Sequence, residues 1–94
     1  MNASRPVRRT VHYTGHVQGV GFRFTAAAIA QSYPVQGFVQ NLPDGRVLLV
    51  AEGAARDVAA FLDDLAGRMS RFIRESLIDE GPATGEFSVF EVRS

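Results

Sequence analysis

Val35–Glu52, VQGFVQNLPDGRVLLVAE, reads as two strands folded about a turn. VQGFVQN and RVLLVAE are apolar and β-prone, and the LPDG between them orders Pro, Asp and Gly as a tight turn requires. Both flanks of this hairpin turn helical. Upstream, Phe22, Ala26, Ile29, Ala30 and Tyr33 fall at helical spacing until Pro34 stops the run. Downstream, Val58, Phe61, Leu62 and Leu65 fall at i, i+3, i+4 and i+7. Beyond each helix the period returns to two. Val7, Val11 and Tyr13 share one face of a half-buried strand, with Arg8, Thr10, His12 and Thr14 on the other and Arg9 interrupting the pattern. RFIRESLIDE reads as a strand whose imperfect alternation a bulge would explain. GPATG is a loop, and FSVFEV a last strand with Phe90 and Val92 on one face. The order β-α-β-β-α-β, plus a short extra C-terminal strand, predicts an α+β ferredoxin-like sandwich: an antiparallel sheet with two helices on one face. Residues 1–6 are expected to form a flexible N-terminus and residues 7–94 a single domain. That architecture serves many unrelated functions and decides no chemistry.

Composition narrows the chemistry. With 94 residues, 46% of them hydrophobic, the chain can bury one core without metals or disulfides. A formal net charge of zero removes the bulk electrostatic case for nucleic acid or an anionic membrane as partner. The start, MNASRPVRR, lacks the apolar core of a signal peptide, and no segment is long and apolar enough to span a bilayer, so the cytoplasm is the expected address. All ten basic residues are arginine. The absence of lysine rules out a phosphate-loop lysine, a Schiff-base lysine and a serine–lysine dyad. The absence of cysteine rules out thiol catalysis and cysteine-ligated metals.

Gly15–Arg23, GHVQGVGFR, joins the first strand to the first helix. Glycines at such a turn permit positive φ and let a ligand approach the backbone. Consecutive amides there can converge on an anion, helped by the helix that begins behind them. Arg23 sits one step past Phe22; if Phe22 is buried, Arg23 is turned about 100° off the core face. From there its guanidinium could fork onto the same anion. The residues alone leave two readings open, a phosphate cradle or a plain strand-to-helix turn with a solvated arginine. A Rossmann fingerprint is the wrong spacing, and the Walker pattern fails for want of lysine.

At this point the chain resembles a known family. GHVQGVGFR is similar at every specified position to the first acylphosphatase signature, G-x-V-Q-G-V-x-F/Y-R. Gly37–Gly53, GFVQNLPDGRVLLVAEG, is similar to the second, G-F/Y/W-A/V/C-x-N-x-x-x-G-x-V-x-x-x-x-x-G. The resemblance covers residues 7–93. It departs from the family pattern modestly, at SYPV after the first helix and at Ser76.

The resemblance implies a small enzyme that hydrolyses the carboxyl–phosphate anhydride of acyl phosphates, with no metal and no cofactor. It places the phosphate cradle on the backbone amides of His16, Val17, Gln18, Gly19, Val20 and Gly21, the phosphate-binding arginine at Arg23 and the water-orienting asparagine at Asn41. The substrate is then a small-molecule acyl phosphate, with inorganic phosphate as product and inhibitor, and the protein is expected to be a monomer. Carboxylate is a good leaving group, so the chief obstacle is phosphoryl charge repelling water, which amides and one arginine would relieve. Asn41 can orient a water but not deprotonate it; read by itself it is a turn residue before Pro-Asp-Gly. Two alternatives stand beside this reading: a module that binds a phosphorylated ligand without turnover, and a carbamoyl-phosphate-handling domain similar to the N-terminal part of hydrogenase-maturation carbamoyl transferases. An end at Ser94, just after the last strand, is expected of a free-standing protein. His12 and His16 read as solvated histidines rather than metal ligands, and the pairs Asp63–Asp64 and Asp79–Glu80 as surface charges.

Overall fold

The computed structural model describes residues 5–94. The chain runs β1 (Pro6–Gly15), α1 (Phe22–Ala30), β2 (Gln36–Asn41), β3 (Val47–Ala54), α2 (Ala55–Arg68), β4 (Ile73–Pro82) and β5 (Phe90–Arg93). Of the expected N-terminal segment, residues 1–4 lie outside the described residues, while Pro6 already pairs with Ala54 of β3. The five strands lie in the order β4-β1-β3-β2-β5. Each neighbouring pair among the first four is antiparallel, as the ferredoxin-like pattern predicts.

β5 departs from that pattern by pairing parallel to β2, Gly37 opposite Phe90 and Gln40 opposite Arg93. The reason lies in the connection: β4 and β5 occupy opposite edges, and residues 83–88 cross the open face to the end where β2 begins. Buried Glu52 of β3 fixes this crossing by accepting the Thr84 N–H at 3.0 Å, the Thr84 hydroxyl at 2.9 Å and the Gly85 N–H at 3.0 Å. Arg8 spans to the same segment, 2.9 Å from Glu86. Phe87 meets Phe38 edge-on at 5.8 Å, and the Arg93 guanidinium stacks over Phe38 at 4.0 Å. This crossing is why Phe38 and Val50, which point away from the helices, are nevertheless buried.

Alternation sends Val11 and Tyr13 of β1, Val39 of β2 and Val47, Leu49 and Ala51 of β3 toward the helices, where all are buried. α1 answers with Phe22, Ala26, Ile29 and Ala30, and α2 with Val58, Phe61, Leu62 and Leu65. Tyr13 packs on Phe22 at 4.9 Å between ring centroids, and Phe61 meets Phe90 edge-on at 5.4 Å. Arg9, the residue that interrupts the β1 pattern, pairs with Glu80 directly opposite on β4 at 2.7 Å. The expected bulge lies at Arg74: Thr14 faces Glu75 but Gly15 faces Ile73, so one residue of β4 is extra. α1 stops at Ala30, and a turn carries the chain through Tyr33 and Pro34, with the Tyr33 hydroxyl donating to Asp64 of α2 at 2.8 Å.

Candidate active site

The β1–α1 connection is held tightly at its start and left open at its end. Gly15 closes β1 with φ 136°, and a Cβ there would stand 2.4 Å from the Phe72 carbonyl oxygen. That same oxygen accepts the His16 N–H at 2.9 Å. The amide of His16 is therefore committed to anchoring the loop, which distinguishes it from its five successors. Among the described residues, no protein acceptor takes the amides of Val17, Gln18, Gly19, Val20 or Gly21. Gly21, at φ 78°, is the N-cap of α1; no side chain caps the helix and no acidic residue lies in its first turn. The first amide to bond into the helix is that of Thr25, which donates to Gly21 O at 2.9 Å. Open amides and the positive end of the helix dipole thus converge where sequence reasoning places a cradle.

Arg23 follows in the first turn, half-buried, and its Nη1 donates to the Arg93 carbonyl of β5 at 2.8 Å. Arg8, Arg9, Arg46, Arg68 and Arg93 each lie beside a carboxylate, whereas Arg23 has none among the described residues. Its charge is uncompensated, next to amides that lack acceptors. Asn41 enters from the other side as the last residue of β2, opposite Val47. A cavity of about 150 Å³ is lined by Val17, Gly19, Gly21, Phe22, Arg23, Phe24 and Asn41. The fold therefore brings Arg23 and Asn41, eighteen positions apart in sequence (41 minus 23), to one pocket beside the open amides.

Gln18 is the residue whose side chain sequence reasoning missed. Its Nε2 donates to the carbonyls of Leu42 and Arg46, at 2.8 and 2.9 Å, on the two sides of the β2–β3 turn. Both amide hydrogens are used to tie the cradle loop to the hairpin that carries Asn41. Nothing in the residue type announces this, since a glutamine in a glycine-rich loop finds partners only once the hairpin is placed beside it. The turn is braced internally as well: Leu42 N–H donates to Arg46 O at 2.8 Å, and Arg46 Nε to Asp44 at 2.8 Å. Hydrogen bonds from the Arg46 backbone and side chain hold the Asp44 carboxyl below its ordinary range.

The histidines lie away from this pocket. His12 sits in β1 between Leu48 and Leu77, and His16 is exposed. No group of three His, Asp or Glu side chains among the described residues is close enough to share a metal ion.

The acylphosphatase family profile matches residues 9–92. This chain belongs to the acylphosphatase family. It is 40% identical over 87 residues to the acylphosphatase of Paenarthrobacter aurescens, covering 92% of this chain and 93% of that protein. Among solved structures, the Bacillus subtilis acylphosphatase superposes with a TM-score of 0.83 at 24% identity, over 94% of this chain and 99% of that one, a likeness of fold. Full-length HypF in its phosphate- and nucleotide-bound form matches with a TM-score of 0.82 and 28% identity, covering 97% of this chain but 12% of that one. The fold brings both signature stretches to one pocket, the first contributing Val17, Gly19, Gly21 and Arg23 to its lining and the second Asn41.

Proposed function

We propose that this member of the acylphosphatase family hydrolyses acyl phosphates to a carboxylate and inorganic phosphate, with the amides of Val17 to Gly21 and the Arg23 guanidinium holding the phosphoryl group. The observation that carries the reading is the uncompensated charge of Arg23 beside amides without acceptors, in one cavity with Asn41. Both features favour a dianion over a neutral ligand. The His16 amide, engaged with Phe72, anchors the loop and stays outside the contact set.

In the reaction, a water positioned by the Asn41 side-chain amide attacks phosphorus in line. The bond from phosphorus to the acyl oxygen breaks, its electron pair leaves on the carboxylate, and the water proton passes to a phosphoryl oxygen. The leaving carboxylate needs no acid, so no further titrating residue is required. A monomer working in the cytoplasm belongs to the same reading, in keeping with a site completed by the chain's own β2 and β5. Carbamoyl phosphate, the alternative raised by the sequence, is itself a carboxyl–phosphate anhydride and enters the same assay. Purified protein given benzoyl, acetyl or carbamoyl phosphate in excess EDTA should consume the anhydride. Strict dependence on added Mg²⁺ or Zn²⁺ would defeat the mechanism, and phosphate binding without any turnover would leave a binding module.

A further inference from the structure

Phe24 has no role in the core. It is 70% exposed in the first turn of α1, whose buried face is already supplied by Phe22, Ala26, Ile29 and Ala30. Three other large apolar side chains stand exposed: Leu77 and Ile78 on edge strand β4, and Val89 just before β5. Of the four, Phe24 alone lines the cavity that holds Arg23 and Asn41. The first turn of a helix next to uncapped amides is a position that an acidic residue would suit electrostatically. The ring there lines the pocket that holds Arg23 and Asn41 and takes no part in the core.

The pocket says which part of a ligand the ring would meet. Its floor is made by Val17 and Phe22, both buried, so a phosphoryl group seated on the amides has protein behind it. In-line displacement sends the leaving group away from the attacking water, and hence away from Asn41. The acyl group must therefore leave through the mouth, where α1 presents Phe24. No carboxylate lines the cavity, and its one charged side chain, Arg23, is committed to the phosphoryl end. The mouth offers an acyl group a flat apolar surface and no partner for charge.

We propose that Phe24 is the acyl-group contact of this site and biases it toward acyl phosphates with a flat, apolar acyl group, aromatic ones first. This rests on the reading of Arg23 and the loop amides as the phosphoryl site. The test compares kcat/KM for benzoyl phosphate and acetyl phosphate in the wild type, Phe24→Ala, Phe24→Tyr and Leu77→Ala, with the inhibition constant of inorganic phosphate measured in each. Phe24→Ala should lower the benzoyl-to-acetyl ratio by about three- to tenfold, the size of one aromatic contact, chiefly through the KM for benzoyl phosphate. Phe24→Tyr, which keeps the ring, should hold the ratio, and so should Leu77→Ala, which removes an exposed apolar side chain elsewhere. A ratio unchanged in Phe24→Ala, or lowered equally in Leu77→Ala, would overturn the proposal. So would a weakening of phosphate inhibition as large as the loss on benzoyl phosphate, because Phe24 would then be acting through the cradle. A wild type that hydrolyses neither substrate sinks the phosphoryl-site reading itself, before any variant is compared.

Discussion

Arg23 spends one of its five N–H groups on the Arg93 carbonyl and meets no carboxylate among the described residues, so most of its fork remains for a ligand. Arg23→Lys keeps the charge but loses the planar fork and the fixed anchor on β5. Phosphate inhibition and kcat/KM should both weaken, and Arg23→Ala should weaken them further. Asn41 belongs to a different step. Asn41→Ala should lower kcat by about 10²-fold or more, roughly 3 kcal/mol, with KM and phosphate inhibition moved much less. Circular dichroism has to show the variant folded, and a folded variant with near-normal kcat removes Asn41 from the mechanism. Gln18→Leu removes both side-chain bonds to the hairpin, while the Arg46 carbonyl keeps the Leu42 N–H and the Leu42 carbonyl keeps the Gly45 N–H. It should cost about 1–3 kcal/mol of stability and loosen Asn41, so kcat falls more than phosphate affinity does. That Arg23 and Asn41 meet at one pocket was legible because each holds a fixed place in a long motif, not from the residue types alone. The Gln18 bridge and the engaged His16 amide were not, because both depend on partners 24 to 56 residues away that only the folded chain brings near.

The hairpin, both helices and the presence of a bulge in β4 could be read from apolar period and turn chemistry, since each is a local property, whereas its place at Arg74 is set by the pairing with β1. The direction of β5 could not. FSVFEV shows which face is apolar, but its partner is set by the path of residues 83–88, and that path depends on Glu52. Glutamate 52 is also the one buried charged residue among the described residues, at 3% exposure. Burial alone would raise its pKa; the amides of Thr84 and Gly85, the Thr84 hydroxyl and nearby Arg8 outweigh it and hold the pKa below the ordinary 4.5. A carboxylate with a depressed folded-state pKa stabilises fully above its unfolded value and loses that contribution as pH falls through the folded one. The crossing should therefore hold at neutral pH and weaken below about pH 4.5. Glu52→Gln keeps the shape, removes the charge and should cost about 1–3 kcal/mol at pH 7. In urea unfolding the gap between wild type and Glu52→Gln should narrow as pH drops from 5 to 3. A gap that stays constant over that range would show that Glu52 acts through shape alone.

Across the whole molecule, formal charge sums to zero, so the attraction for a dianion is local to one end of the sheet. That end is assembled from the last residues of β1, β2 and β5 and the first turn of α1, with the Arg93 carbonyl and the Gln18 amide as ties between them. A ligand held by the loop amides and Arg23 sits on one stretch, residues 17–23, that the Gln18 and Arg23 side chains fasten to the β2–β3 turn and to β5, and should stabilise the fold as a unit. Inorganic phosphate at ten times its Kd should add about 1.4 kcal/mol, which for a domain of this size raises Tm by several degrees. It should also inhibit hydrolysis competitively with the same constant. Arg23→Ala should lose most of the thermal shift. Asn41→Ala, which touches the water more than the phosphoryl group, should keep it. Sulfate strengthens folding generally by exclusion from the surface, so the comparison that decides is between variants at one phosphate concentration, not between salts. If the Arg23→Ala variant shifts as far as the wild type, phosphate is binding elsewhere, and the pocket of Arg23 and Asn41 is not the site of inhibition.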